Sequence, residues 1–227
     1  MTGGRRVALV TGANRGIGLE VCRQLAARGY TVVLGSRDAG KGEAAARRLM
    51  GNVRSAPLDV ADPDAPGRLA AALGRVDVLI NNAGVHYDTW QRATTADWLI
   101  VREAFETNVF GAWRMTQAFA PMMRDAGWGR IVNVSSESGS LASMGAGTPA
   151  YSTSKAALNA LTRALAAEFR GTGVLVNAVC PGWVATDMGG PGGQPVSEGA
   201  ASVLWAVELP DDGPTGGFFR NGRPLPW

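Results

Sequence analysis

The sequence predicts an α/β fold: a single doubly wound domain over 1–227, with a seven-stranded, mostly parallel sheet and helices on both faces. Two observations predict it. Short apolar runs alternate with longer helical patterns, the order that builds β-α-β units and a parallel sheet. The first run, Val7-Ala8-Leu9-Val10, enters the Gly-rich turn Thr11-Gly12-Ala13-Asn14-Arg15-Gly16-Ile17-Gly18, and a helical pattern with Leu19, Val21, Cys22 and Leu25 follows.

The elements follow in order. A strand near 6–11 leads to a helix near 16–28, and a strand near 31–35 to a helix near 41–50. A strand near 52–57 precedes a helix near 64–73, and the run Val76-Asp77-Val78-Leu79-Ile80 marks the fourth strand. One long helix is expected over 97–126, then a strand near 129–135 and an Ala- and Leu-rich helix over 149–170. A strand near 173–179, a helix near 197–208 and an edge strand near 216–219 complete the pattern. Gly189-Gly190-Pro191-Gly192-Gly193-Gln194-Pro195 is a loop, because neither helix nor strand suits it. In a doubly wound sheet, ligands bind where the strand C-termini gather. The Gly12 turn, Asp59, Asn81, Ser136 and Pro181 all follow predicted strands, so they converge on that edge.

Composition narrows the class. A chain of 227 residues with 46% hydrophobic and 18% charged residues can bury one large core. The net charge of +3 comes from scattered residues with no long basic run, so nucleic acid is not an expected partner. The apolar run after Arg5-Arg6 is too short for a signal peptide or a membrane span. Cys22 and Cys180 read as reduced core thiols, and a cytoplasmic location is expected. No metal is expected.

The chemistry rests first on Tyr151 and Lys155, four residues apart at the head of the 149–170 helix. Residues i and i+4 share a helix face, so phenol and ammonium can meet. A free phenol has a pKa of about 10, and a nearby cation lowers it. Such a Tyr can exchange a proton with an alcohol oxygen. The Gly-rich turn has the spacing G-x-x-x-G-x-G, and glycines there let a pyrophosphate approach the helix N-terminus.

Together with Asn81-Asn82-Ala83-Gly84, Asn108, Ile131-Val132-Asn133-Val134-Ser135-Ser136 and Pro181-Gly182-Trp183-Val184-Ala185-Thr186-Asp187, these motifs resemble the short-chain dehydrogenase/reductase family. The resemblance runs from about Arg6 to Trp227, and its finer features are similar to the carbonyl-reductase branch. It implies a Rossmann-type domain and hydride transfer between a nicotinamide and a carbonyl or alcohol carbon. In it, Tyr151 is the general acid of reduction, and Lys155 lowers its pKa and holds the nicotinamide ribose. Ser136 stabilises the developing alkoxide, with Ser138 as the alternative serine, and Asn108 holds a water that relays protons from Lys155. The cofactor-binding set is Gly12, Asn14, Arg15, Gly16, Ile17, Gly18, Ser36, Arg37, Asp59, Val60, Asn81, Ala83, Gly84, Pro181, Gly182, Val184 and Thr186, beside Tyr151 and Lys155.

The second strand ends in Ser36-Arg37-Asp38. NAD binders of this fold carry an acidic residue there. A hydroxyl at Ser36 with guanidiniums from Arg37 and Arg15 favours a 2′-phosphate, hence NADP(H). Asp38 facing the ribose instead would weaken that reading. His86, Met144, Trp183 and Met188 are the candidate substrate contacts, suiting a hydrophobic or aromatic carbonyl compound. The competing reading is a catalytically silent nucleotide-sensing or scaffold protein on the same fold. A homodimer or homotetramer is expected through the 97–126 and 149–170 helices, whose exposed faces would draw on residues such as Ala104, Val109, Ala112, Leu158 and Leu165, though some of these must face the sheet.

Overall fold

A computed structural model of the chain describes residues 5–227. Eight strands form one sheet in the order β3-β2-β1-β4-β5-β6-β7-β8. They are β1 Val7–Val10, β2 Thr31–Ser36, β3 Val53–Pro57, β4 Val78–Asn81, β5 Gly129–Val134, β6 Val174–Val179, β7 Phe218–Arg220 and β8 Arg223–Pro224. Every pairing is parallel except β7 with β8. The expected count was seven. The extra strand is a two-residue antiparallel return, too short and too polar to leave an apolar run.

The core follows the alternation of strand side chains. Leu9, Val33, Leu79, Ile131 and Val176 face one side, against Ala70, Met115, Phe119, Leu158 and Leu165. Those partners lie on α3 Ala65–Leu73, α5 Ala112–Asp125 and α6 Pro149–Glu168. Val10, Val32, Leu34, Ile80 and Val132 face the other side, against Val21, Leu25, Ala45 and Val203. Their partners lie on α1 Gly16–Ala27, α2 Ala39–Ala46 and α7 Val196–Val207. Strand order reverses between β1 and β4, which opens a crevice at the C-terminal edge.

The single helix expected over 97–126 is three pieces. These are α4 Trp98–Phe105, a π-helical segment Glu106–Gly111, and α5. A π turn inserts one extra residue and rotates everything after it. The expected outer face is corrected. Ala104, Val109, Ala112, Leu158 and Leu165 are all buried within the chain, while Trp98, Leu99, Phe110 and Trp113 are exposed. No described helix is long and apolar enough to cross a membrane.

A polar thread also crosses the core. Asn81 Nδ2 donates to Asn133 Oδ1 at 2.9 Å, and Asn133 Nδ2 donates to Thr162 Oγ1 at 2.9 Å. It ties β4, β5 and α6 together at the level where the site begins.

Candidate active site

The Gly-rich turn and the loop after β4 are built against each other. Gly12 has φ +61, and a Cβ there would stand 2.8 Å from the Ala83 Cα. A Cβ on Gly18 would stand 2.5 Å from Asn82 Nδ2. Only glycine fits either approach. Thr11 Oγ1 accepts from the backbone N–H groups of Asn82 and Ala83, both at 3.0 Å. Asn82 Nδ2 returns bonds to the carbonyls of Thr11 at 2.9 Å and Gly12 at 3.1 Å. Thr11 and Asn82 stand outside the expected set. Their signal in the sequence is the doubled Asn, of which the second holds the turn.

Helix α1 begins in this turn with Arg15 at its N-cap, and no side chain caps it. Its first-turn N–H groups are therefore open to an anion. Thr186 lies over the turn, since a Cβ on Gly16 would meet its Cγ2 at 3.5 Å. Ile17 opens α1 and packs on the core. Arg15 reaches across to Asp187 at 2.6 Å, rather than towards the end of β2. Both side chains are largely exposed, so this pair contributes only about 0–1 kcal/mol and is easily exchanged.

At the end of β2, Ser36 departs from expectation. It is buried, and its Oγ donates to the Asp38 carbonyl at 2.8 Å, so the hydroxyl is held inside its own turn. Asp38 is the N-cap of α2, accepting from Lys41 N at 3.0 Å. That bond lowers its carboxyl pKa and turns it into the helix. Arg37 is exposed and has no ion-pair partner among the described residues. Beside it, Asn14, Lys41 and Arg48 line a cavity of about 200 Å³. Lys41 and Arg48 are basic groups the motif reading did not include.

Other expected cofactor contacts divide. Asp59 Oδ1 accepts from Ala61 N at 3.0 Å in a tight turn. Val60 is buried against Gly111, where a Cβ would meet its Cγ2 at 2.7 Å. Asn81 is buried, and its Nδ2 donates to Asn133 Oδ1, which ties β4 to β5. Gly84 lies at the centre, where a Cβ would stand 3.5 Å from Asn108 Oδ1 and 3.7 Å from Lys155 Nζ. The Val184 side chain faces α7, where a Cβ on Gly199 would meet it at 2.6 Å. Gly182, at φ +83, turns the chain after buried Pro181, and Gln194 Nε2 closes on the Pro181 carbonyl at 2.6 Å.

The expected catalytic residues come together at the head of α6. Lys155 is buried, and its Nζ donates to the Val134 carbonyl at 2.8 Å. Burial pushes its pKa down to about 8. One carbonyl engages one of its three donors. The ammonium stands 5.5 Å from the Tyr151 ring centroid. Tyr151 is 9% exposed, and burial raises its phenol pKa, while the Ser136 hydroxyl beside it pulls the other way. The lowering expected from Lys155 is therefore not seen in the free protein, where burial sets the direction.

The serines divide clearly. Ser135 Oγ donates inward to Asn159 Oδ1 at 2.6 Å, whereas Ser136 Oγ accepts from Ser138 N at 3.2 Å. Accepting leaves the Ser136 hydroxyl proton able to donate, towards the Tyr151 phenol oxygen beside it. Asn108 sits in the π segment, and its side chain clamps the Val85 backbone on both sides, at 2.9 Å to N and 3.2 Å to O. Its amide also donates to Ser154 Oγ at 2.9 Å. Both amide donors are engaged by protein, and Oδ1 keeps one lone pair.

Of the substrate candidates, His86 is tied away. Its Nε2 meets Glu103 Oε2 on α4 at 2.6 Å. Met144 is half-buried in the loop from β5 to α6. Trp183 and Met188 are 66% and 43% exposed in the loop before α7. The Trp183 indole donates to the Gly189 carbonyl at 2.7 Å, which folds this loop on itself. Tyr87, outside the expected set, packs edge-on against Tyr151 with centroids 5.2 Å apart.

Comparison with known proteins agrees with this arrangement. The "short chain dehydrogenase" family matches residues 6–195. A (+)-neomenthol dehydrogenase of Arabidopsis thaliana is 35% identical, over 95% of this chain and 96% of its own. An acetoacetyl-CoA reductase of Rhizobium meliloti is 41% identical, over 81% of this chain and 76% of its own. The solved NADPH-bound carbonyl reductase from chicken fatty liver superposes with a TM-score of 0.85 at 30% identity, covering 98% of this chain and 99% of that one. With its turn, crevice and Tyr–Lys helix built as they are, the chain belongs to the short-chain dehydrogenase/reductase family of oxidoreductases.

Proposed function

We propose that the protein reduces a hydrophobic ketone or aldehyde to an alcohol with NADPH. The observation that carries this is the convergence of Ser136, Tyr151 and Lys155 at the C-terminal edge, facing the open N-terminus of α1. The residues present fit a dinucleotide. The Gly-rich turn runs into α1, whose first turn has no side-chain cap, and Lys155 keeps donors for ribose hydroxyls. When bound, the nicotinamide supplies the hydride.

The chain's own part is position and a proton. Ser136 donates to the carbonyl oxygen as negative charge develops there. Tyr151, which holds its proton at neutral pH, gives it to that oxygen. Lys155 holds ribose and replenishes charge balance around the phenol. Trp183, Met188, Met144 and Tyr87 offer the apolar surface for the substrate's body. A panel of ketones, aldehydes and quinones, followed by loss of NADPH absorbance, tests the reading. No consumption with any of them would overturn it.

The preference for NADPH over NADH is supported by Arg37, which has no ion-pair partner among the described residues, and by the cavity lined by Lys41 and Arg48. Asp38, the residue that could have favoured NADH, is turned into α2. Arg15 can exchange Asp187 for a phosphate at little expense. Arg37→Asp is expected to weaken NADPH by about tenfold or more and to narrow or reverse the preference. Fluorescence titration with both cofactors checks it, and equal wild-type affinities would sink the assignment.

We further propose a homodimer or a tetramer of dimers. Trp98, Leu99, Phe110 and Trp113 leave large apolar side chains exposed on and between α4 and α5. Light scattering at micromolar concentration should give at least twice the chain mass of 23.6 kDa. A mass of one chain would discard the assembly.

A further inference from the structure

We infer that Asp88 is a positioning residue for the catalytic tyrosine, acting through the first turn of α6. The inference rests on the reduction proposed above and adds a group that the motifs do not contain. Asp88 is fully buried. Its Oδ2 accepts from Ala150 N and its Oδ1 from Tyr151 N, each at 3.0 Å. Gln91 Nε2 supplies a third bond to Oδ2 at 3.0 Å.

Helix α6 cannot cap itself. Its N-cap Thr148 has φ 52 and makes no side-chain cap bond, because its hydroxyl pairs with Ser152 Oγ at 2.8 Å. Pro149 opens the helix and has no N–H to satisfy. The next two donors are those of Ala150 and Tyr151, where an N-cap oxygen normally bonds. A carboxyl group from more than 60 residues earlier takes both.

The segment that delivers Asp88 is itself held at several points. Asn108 clamps Val85 through N and O, and Glu103 holds His86, whose φ of 60 is left-handed. Tyr87 then packs edge-on against the Tyr151 ring. The segment 85–88 is thus a strut from the π segment and α4 to the tyrosine. Asn108 acts through Val85, and Asp88 sets both the backbone and, with Tyr87, the ring orientation of Tyr151.

The test uses Asp88→Asn and Asp88→Glu in the full chain. An Asn presents an N–H₂ to one of the two donors and cannot accept from both. Active sites are counted by NADPH fluorescence, and kcat is expressed per NADPH-binding site. Asp88→Asn should bind NADPH within about twofold of wild type, with kcat lower by about 10- to 100-fold and KM little changed. Asp88→Glu should recover part of that loss. Amide hydrogen exchange at Ala150 and Tyr151 should speed up in Asp88→Asn while the α6 interior stays protected. An unchanged kcat per site, or wild-type exchange at those two amides, overturns the proposal. If neither variant binds NADPH, Asp88 is a folding residue and the proposal falls as well. A wild-type protein that consumes no NADPH would instead overturn the proposed reaction, and the exchange measurement would still judge Asp88.

Discussion

Tyr151→Phe is expected to lower carbonyl reduction by about 10²–10⁴-fold while leaving NADPH affinity within about twofold. The substitution removes one oxygen and keeps the ring, so the edge-on contact with Tyr87 survives. What goes is the proton that the alkoxide must receive. Burial holds that proton firmly, and Ser136 is the neighbour that eases its release. The same direction sets the sign of the pH dependence. A phenol pushed above its ordinary pKa stays protonated through neutral pH, so reduction has its acid in place there. Oxidation of the alcohol needs the phenolate, so its rate should climb as pH rises. Single-turnover reduction at saturating NADPH and steady-state oxidation across pH check both. A Phe variant with near wild-type reduction would remove Tyr151 from the chemistry.

Much of this architecture was readable from local pattern, and the exceptions have physical causes. Strands such as Val78–Asn81 and Val174–Val179 are buried on both faces and read as apolar runs broken only by Asn81 and Asn177. The Gly-rich turn was legible because Gly12 and Gly18 admit no other residue. The break of the 97–126 helix was not, because no proline interrupts the π segment Glu106–Gly111, which differs from its flanks in its hydrogen bonding. Ala104 before it and Val109 within it are both buried, while Phe110 and Trp113 are exposed. Individual side chains were not legible where their bonding partners carry no local signal. Asn81 looked like a cofactor contact, but its partner Asn133 comes 52 residues later. Ser36 looked free, yet it closes on Asp38 two residues away, a turn that the triplet Ser-Arg-Asp does not advertise. Asp88 had no motif at all, since its meaning lies in α6, whose own cap is missing.

Ser136→Ala should lower kcat by about 10²–10³-fold, the loss typical of removing one donor from a developing oxyanion. Ser138→Ala should be mild. The two residues differ by role. The Ser136 hydroxyl receives the Ser138 N–H, which fixes its oxygen and leaves its proton free to point at a substrate carbonyl. It also borders the Tyr151 phenol, so a single substrate oxygen can meet both donors. Ser135, one residue earlier on the strand, cannot substitute, because its hydroxyl is turned inward to Asn159. The loop beyond is held against α6 by Gly139, where a Cβ would stand 2.7 Å from the Lys155 backbone and Cβ. That close approach places Ser136 and the Tyr–Lys pair in one rigid unit, so an alanine at 136 has no neighbour able to move in. Steady-state kinetics of the two variants, with NADPH affinity as the control, separates them. A crippling Ser138→Ala with a mild Ser136→Ala would transfer the role to Ser138.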